Sequence, residues 1–157
     1  MSSTHTTSKG KDMVAVTVEK VINAPRAVVY GVFADRESYG ANLPINTRLV
    51  TPGTDARQGV GAVHFLGLGP AGIKEQITEL VPDERLVYRV VGGVPVRSHV
   101  GTVEFADAPG GGTRVTYTMD SDPKVPVPAG VLKAGLKALT NQLITACDKA
   151  ARAKAAG

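Results

Sequence analysis

Residues 14–22, VAVTVEKVI, set Val14, Val16 and Val18 against Ala15, Thr17 and Glu19. A period of two in β-branched residues predicts a half-buried strand. Asn23-Ala24-Pro25 predicts a helix start, a capping residue followed by a proline that has no N–H to lose. Val28, Val29, Val32 and Phe33 keep one apolar face, and Asp35 to Leu43 reads as a second short helix or turn that Pro44 ends. From Ile45 to Ser121 the pattern predicts six strands, near 45–50, 59–67, 72–81, 85–92, 96–106 and 113–121. Turn clusters separate them at Thr51-Pro52-Gly53, Gly69-Pro70, Pro82-Asp83, Gly92-Gly93 and Pro109 to Gly112, so the strands should form an antiparallel meander. Ile73, Ile77, Leu80 and Val81 fit a helix as well as a strand, and periodicity leaves that segment open. Beyond Pro126 and Pro128, Leu132, Leu136, Leu139, Leu143, Cys147 and Ala150 recur at three- and four-residue steps. They predict one long helix over 129–154 with a single apolar stripe.

The 157 residues fit one domain, placed at 13–154, with 1–12 as a disordered polar arm and 155–157 as a tail. Eighteen glycines and ten prolines agree with frequent turns and argue against an all-helical bundle. The lone Cys147 excludes an internal disulfide and a cysteine-clustered metal centre, and falls on the helix stripe, where it reads as an inert small hydrophobe. The net charge of +4 resides mainly at the two ends, in Lys9 and Lys11 and in Lys149, Arg152 and Lys154. With four Tyr, three Phe and no Trp there is no basic stripe interleaved with stacking aromatics, so nucleic acid is not an expected partner. The first twelve residues lack an apolar core, and the longest uncharged stretch, Gly59 to Ile73, is short and glycine-broken. A signal peptide and stable membrane insertion are therefore not expected, and the location reads as cytoplasmic.

Gly67-Leu68-Gly69-Pro70-Ala71-Gly72 matches GxGxxG, a pattern that brings backbone close to a pyrophosphate at a helix N-terminus. The following strand ends in Val91-Gly92-Gly93 with no acidic residue for a ribose, and no strand–helix alternation continues behind it. A hairpin turn is the simpler reading, and no cofactor is expected.

The order strand, two short helices, six strands and long helix resembles the SRPBCC (START-like, birch-pollen-allergen-like) superfamily, in particular its polyketide cyclase/dehydrase-like bacterial branch. The resemblance is carried by Val18-Glu19 to Ile22, Ala24-Pro25 with Val28 and Val29, Asp35 to Pro44 and Gly59-Val60-Gly61. It continues through Ile77-Thr78-Glu79, Pro82 with Arg85 to Tyr88, Gly101-Thr102-Val103 and Gly111 to Val115. It implies an α+β helix-grip fold, in which a curved antiparallel sheet of about seven strands wraps a long C-terminal helix and leaves a cavity. It also implies a small hydrophobic ligand, such as a lipid, polyketide or quinone, or cyclisation or dehydration of such a ligand. Asn42 stands where many relatives carry a tryptophan before Leu-Pro, so the resemblance places it at the mouth of the cavity, which should be more open or more polar.

Alternation assigns candidates to the concave face. With Arg89 outward, Leu86, Tyr88 and Val90 face inward; with Glu104 outward, so do Arg97, His99, Gly101, Val103 and Phe105. Val115, Tyr117 and Met119 follow in the last strand. Tyr88, Arg97, His99, Phe105, Tyr117, Met119, Asn42 and Leu136 are thus the expected ligand contacts. Tyr88 and Tyr117 either donate to a ligand carbonyl or pack as core. No catalytic set is assigned; His99 as proton carrier and Arg97 or Tyr88 as ketone polariser are the candidates, and whether the protein is an enzyme stays open. His64 has no readable phase, and with His99 it gives no metal-ligand spacing. The expected partner is the hydrophobic ligand, with a homodimer left open.

Overall fold

The antiparallel meander is present from end to end. The computed structural model describes residues 13–157, so the expected arm at 1–12 lies outside the described residues. Its elements are β1 (Val14–Ile22), α1 (Arg26–Ala34), a 3-10 helix (Arg36–Ala41), β2 (Asn46–Thr51), β3 (Val63–Leu68), β4 (Ala71–Val81), β5 (Arg85–Gly92), β6 (Val96–Asp107), β7 (Thr113–Pro123) and α2 (Ala129–Ala156). The ambiguous segment 73–81 is a strand, because both its edges pair, with β3 and with β5. The strand expected from residue 59 begins only at Val63; Gly61, at φ +90°, turns the chain beforehand. The final helix runs two residues past its expected end at 154.

One seven-stranded sheet has the order β1-β7-β6-β5-β4-β3-β2. Strands β2 to β7 are joined in sequence, while β1 lies at the opposite edge from β2. The chain between β1 and β2 must therefore cross the sheet, and α1 with the 3-10 helix makes that crossing. Register shifts in β2, β4 and β6 mark bulges, which bend strands and increase twist. Asn23 does not cap α1 as expected: Pro25 is the cap residue, and its carbonyl accepts from the Val28 and Val29 N–H groups at 3.0 Å.

Ile22, Val29, Phe33, Leu86, Val103, Phe105, Val115 and Tyr117 form the solid part of the core, with Phe33 and Phe105 edge-to-face at 5.5 Å. Helix α2 packs against β1, β7 and α1. Its stripe is not buried uniformly. Ile144, Cys147 and Ala151 are sealed in the C-terminal half, whereas Leu132 and Leu143 are half-buried and Leu139 is 42 % exposed.

The GxGxxG segment is the β3–β4 hairpin. Gly67 pairs with Gly72 across it, and a Cβ on either would collide with the facing backbone. Those glycines let two strands approach each other, and the segment opens no helix.

Candidate functional site

Beneath the less-sealed half of α2 lies a cavity of about 420 Å³. Its floor is the sheet. Tyr88, Gly101 and Met119 form one cross-strand row, and Glu75 with Val90 and His99 with Ser121 form the next. Leu132, Leu136, Leu139 and Leu143 of α2 form the roof, and Arg36 reaches in from the 3-10 helix. Val94 at the β5–β6 turn and Leu139 are lining residues still open to solvent.

The polar end of this space is an ion pair. Arg36 is 2 % exposed and Glu75 4 %, and the Arg36 Nη2 donates to Glu75 Oε1. The guanidinium also lies over the Tyr88 ring, 4.4 Å from its centroid, and 5.4 Å from that of Tyr39. Arg36 begins the element that crosses the sheet, so its side chain drops from the crossing onto the concave face. Burial raises the Glu75 carboxyl above its ordinary value although Arg36 pulls it back, while Glu75 holds the guanidinium firmly protonated. Burial also raises the Tyr88, Tyr117 and Tyr39 phenols, so all three stay protonated. The Tyr88 and Tyr117 hydroxyls bond to one another, and the Tyr39 hydroxyl donates to the Phe33 carbonyl at 2.6 Å.

A family model described as polyketide cyclase / dehydrase and lipid transport matches residues 13–153. The chain belongs to that family. Ara h 8.0201 has a similar crystal structure, with a TM-score of 0.73 at 15 % identity, covering 90 % of this chain and 99 % of that one. A START superfamily protein from Mycobacterium smegmatis also matches, with a TM-score of 0.73 at 16 % identity, covering 89 % of this chain and 97 % of that one. At those identities the likeness establishes the shared fold, the helix-grip arrangement of sheet and C-terminal helix. No curated protein sequence matches this chain.

In this polyketide cyclase/dehydrase family member, Tyr88, His99, Met119 and Leu136 line the cavity together. The other four expected contacts lie elsewhere. Tyr117 is buried behind Tyr88, and Phe105 packs in the solid core against Tyr30 and Phe33. Alternation gives the face of a strand but not which length of it α1 covers, and α1 covers Phe105. Arg97 does not point inward: a bulge between Val96 and Ser98 turns its side chain out, 54 % exposed, to meet Asp122 at 3.1 Å. Asn42 is not at the mouth of this cavity. It borders a separate hollow of about 390 Å³ between the 3-10 helix and the C-terminal half of α2, which Cys147 also lines. The Cys147 thiol is pushed up to about 12 by burial, which keeps it protonated and unreactive.

The sequence reading missed Arg36 and Glu75. Glu75 carried a signal, since it shares strand parity with Ile73 and Ile77, both of which lie toward the core. Arg36 carried none, because a 3-10 turn has no readable face. Among the described residues, no three His, Cys, Asp or Glu side chains form a metal-ligand set, and no helix is long and apolar enough to cross a membrane.

His64 adjoins the ion pair, directly opposite Glu75 across the strands, and is fully buried. Its Nε2 lies 3.0 Å from Gln58 Oε1; that oxygen also accepts from the Glu37 N–H, and Gln58 Nε2 donates to Asp35. Gln58 Oε1 can only accept, which assigns the proton to Nε2. Burial, reinforced by the Arg36 charge, holds the His64 imidazole down to about 4. The unfolded chain takes up this proton near pH 6.5 and the folded protein only near 4, so stability falls as pH drops through that window. The expected His64 share is about 2–3 kcal/mol. Urea unfolding at pH 7 and pH 4.5 should show a smaller loss in His64→Gln than in the unsubstituted protein; equal losses would remove His64 as the cause.

Proposed function

We propose that the protein binds a small, largely apolar molecule, of lipid, polyketide or quinone type, in the cavity between the sheet and α2. The carrying observation is that hollow itself, roofed by buried Leu136 and by Leu132, Leu139 and Leu143, which stay partly exposed. Protein interiors pack at crystal-like density, and an unfilled space forfeits about 24 cal/mol for each Å³ in core-truncation series. A bound apolar molecule would supply the missing contacts, and the mostly apolar lining with a few convergent polar groups has the ordinary form of such a site. The family's description, which includes lipid transport, supports the same reading.

The cyclase or dehydratase alternative requires a positioned acid–base set. His99 lies in the cavity wall and burial lowers its pKa, so it is a neutral base near pH 7. Among the described residues no side chain hydrogen-bonds its ring to orient it, and Arg97 is engaged outside. The geometry therefore favours binding over turnover.

Native mass spectrometry of the purified protein, with solvent extraction, is expected to reveal a co-purifying apolar molecule at one per chain. The fluorescent probe N-phenyl-1-naphthylamine should bind the emptied protein, and Leu136→Trp, which fills the roof, should weaken it about tenfold or more at one lost set of apolar contacts. A folded Leu136→Trp protein with unchanged probe affinity would sink the assignment to this cavity.

A further inference from the structure

We propose that the cavity takes its ligand head first, with a neutral carbonyl oxygen on the ligand accepting hydrogen bonds from the Arg36 guanidinium; this rests on the binding reading above. Three observations carry it. The Arg36 Nη2 donates to Glu75, yet Nε and Nη1, both buried, have no acceptor among the described residues. Buried donors are seldom left so, because each lacks the water it would otherwise bond. The side chains around them do not help: Tyr88 presents its ring face, and its hydroxyl is engaged with Tyr117.

Arg36 and Glu75 are also part of the cavity wall, whereas Ile73, Val90, Leu136 and Leu139 line its remaining length. One polar end and an apolar run suit a molecule with an oxygen at its tip and a hydrocarbon body. Finally, the charge is already balanced. An anionic head beside Arg36 and ionised Glu75 would leave an excess negative charge in a water-poor space, where an unpaired charge is costly. A ketone or quinone oxygen supplies the acceptor and adds no net charge.

Three probes of similar shape separate these terms: 2-acetonaphthone, 2-ethylnaphthalene and 2-naphthoate, each titrated by displacement of N-phenyl-1-naphthylamine. The ketone should bind the unsubstituted protein about tenfold or more tighter than the hydrocarbon, as one charge-assisted hydrogen bond implies. In Arg36→Met/Glu75→Leu, which replaces the pair by apolar residues of similar volume, the two should bind within about twofold of each other. If that protein does not fold, Arg36→Lys keeps a charge opposite Glu75 but removes the guanidinium fork, and the preference should fall there too. Equal affinities in the unsubstituted protein, a ketone preference that survives these substitutions, or naphthoate binding tightest would each overturn the carbonyl assignment while leaving cavity binding intact. If neither the naphthylamine nor any naphthalene binds, the cavity reading itself fails.

Discussion

Arg36→Met is expected to lower the unfolding free energy by about 3–5 kcal/mol, because it leaves Glu75 buried without its partner. The pair is 39 residues apart in sequence, is nearly inaccessible, and carries two aromatic rings against the guanidinium. Removing one charge exposes the full desolvation cost of the other. Adding Glu75→Leu should recover most of the loss, since apolar residues of like volume commonly replace a buried pair at little cost. The single variant also has a diagnostic pH dependence. With Arg36 gone, the folded-state pKa of Glu75 rises further above its unfolded value near 4.3. The stability of that variant is therefore retained at low pH and lost as pH rises through the folded-state pKa. Urea unfolding of Arg36→Met at pH 5 and pH 8, each read against Arg36→Met/Glu75→Leu so that the opposing His64 titration cancels, should show the larger deficit at pH 8. The reverse order, or a loss on Arg36→Met below about 1 kcal/mol, would mean that the pair is solvated rather than buried.

Gly101→Ala is the second large effect. A Cβ at Gly101 falls within the Tyr88 ring, striking its tip and hydroxyl. The ring is 1 % exposed and backed by Tyr117 and Arg36, so it can give way only by entering the cavity whose floor it forms. Overpacking of this kind costs about 1–3 kcal/mol, with the Tyr88–Tyr117 hydrogen bond and the stacked guanidinium at risk beyond that. The coupling is the sharper quantity. Tyr88→Ala alone should cost about 3–5 kcal/mol, while Gly101→Ala added to it should cost almost nothing, because the ring it strikes is gone. A double-mutant cycle by urea denaturation measures this, and additive costs would show that Gly101 does not hold the ring's place. The same cycle read by probe binding would show whether Tyr88 sets the shape of the cavity floor, since the ring lies between Arg36 and the sheet.

These two sites differ in how far the sequence announced them. Gly101 falls on the inward parity of its strand, in the same row as Tyr88 and Met119, so alternation places the glycine and the ring on one face. Only the cross-strand register Tyr88–Gly101 shows that one occupies the Cβ position of the other. Likewise Arg97 follows the parity of His99 but is turned out by a one-residue bulge, a local slip that inverts facing without altering composition. Asn42 failed differently. Its place in the chain is as read, after the short helix and before Leu43-Pro44, yet the crossing element sets it beside the C-terminal half of α2, away from the leucine-roofed space.

The sequence by itself determined the turns, the long helix and every strand but the one at 73–81, which only pairing on both edges settled, and their order carried the resemblance that implied the helix-grip fold. Those features arise from neighbours two to four residues apart: alternating β-branched residues, turn glycines and prolines, and a recurring leucine stripe. Which leucines would be sealed and which would roof a hollow was decided by tertiary structure, because α1 and the 3-10 helix fill one end of the sheet's concavity and not the other. The buried ion pair was decided there as well. A charged side chain is ordinarily an outward signal, and Arg36 and Glu75 reverse that signal only because the chain's crossing of the sheet brings each within reach of the other.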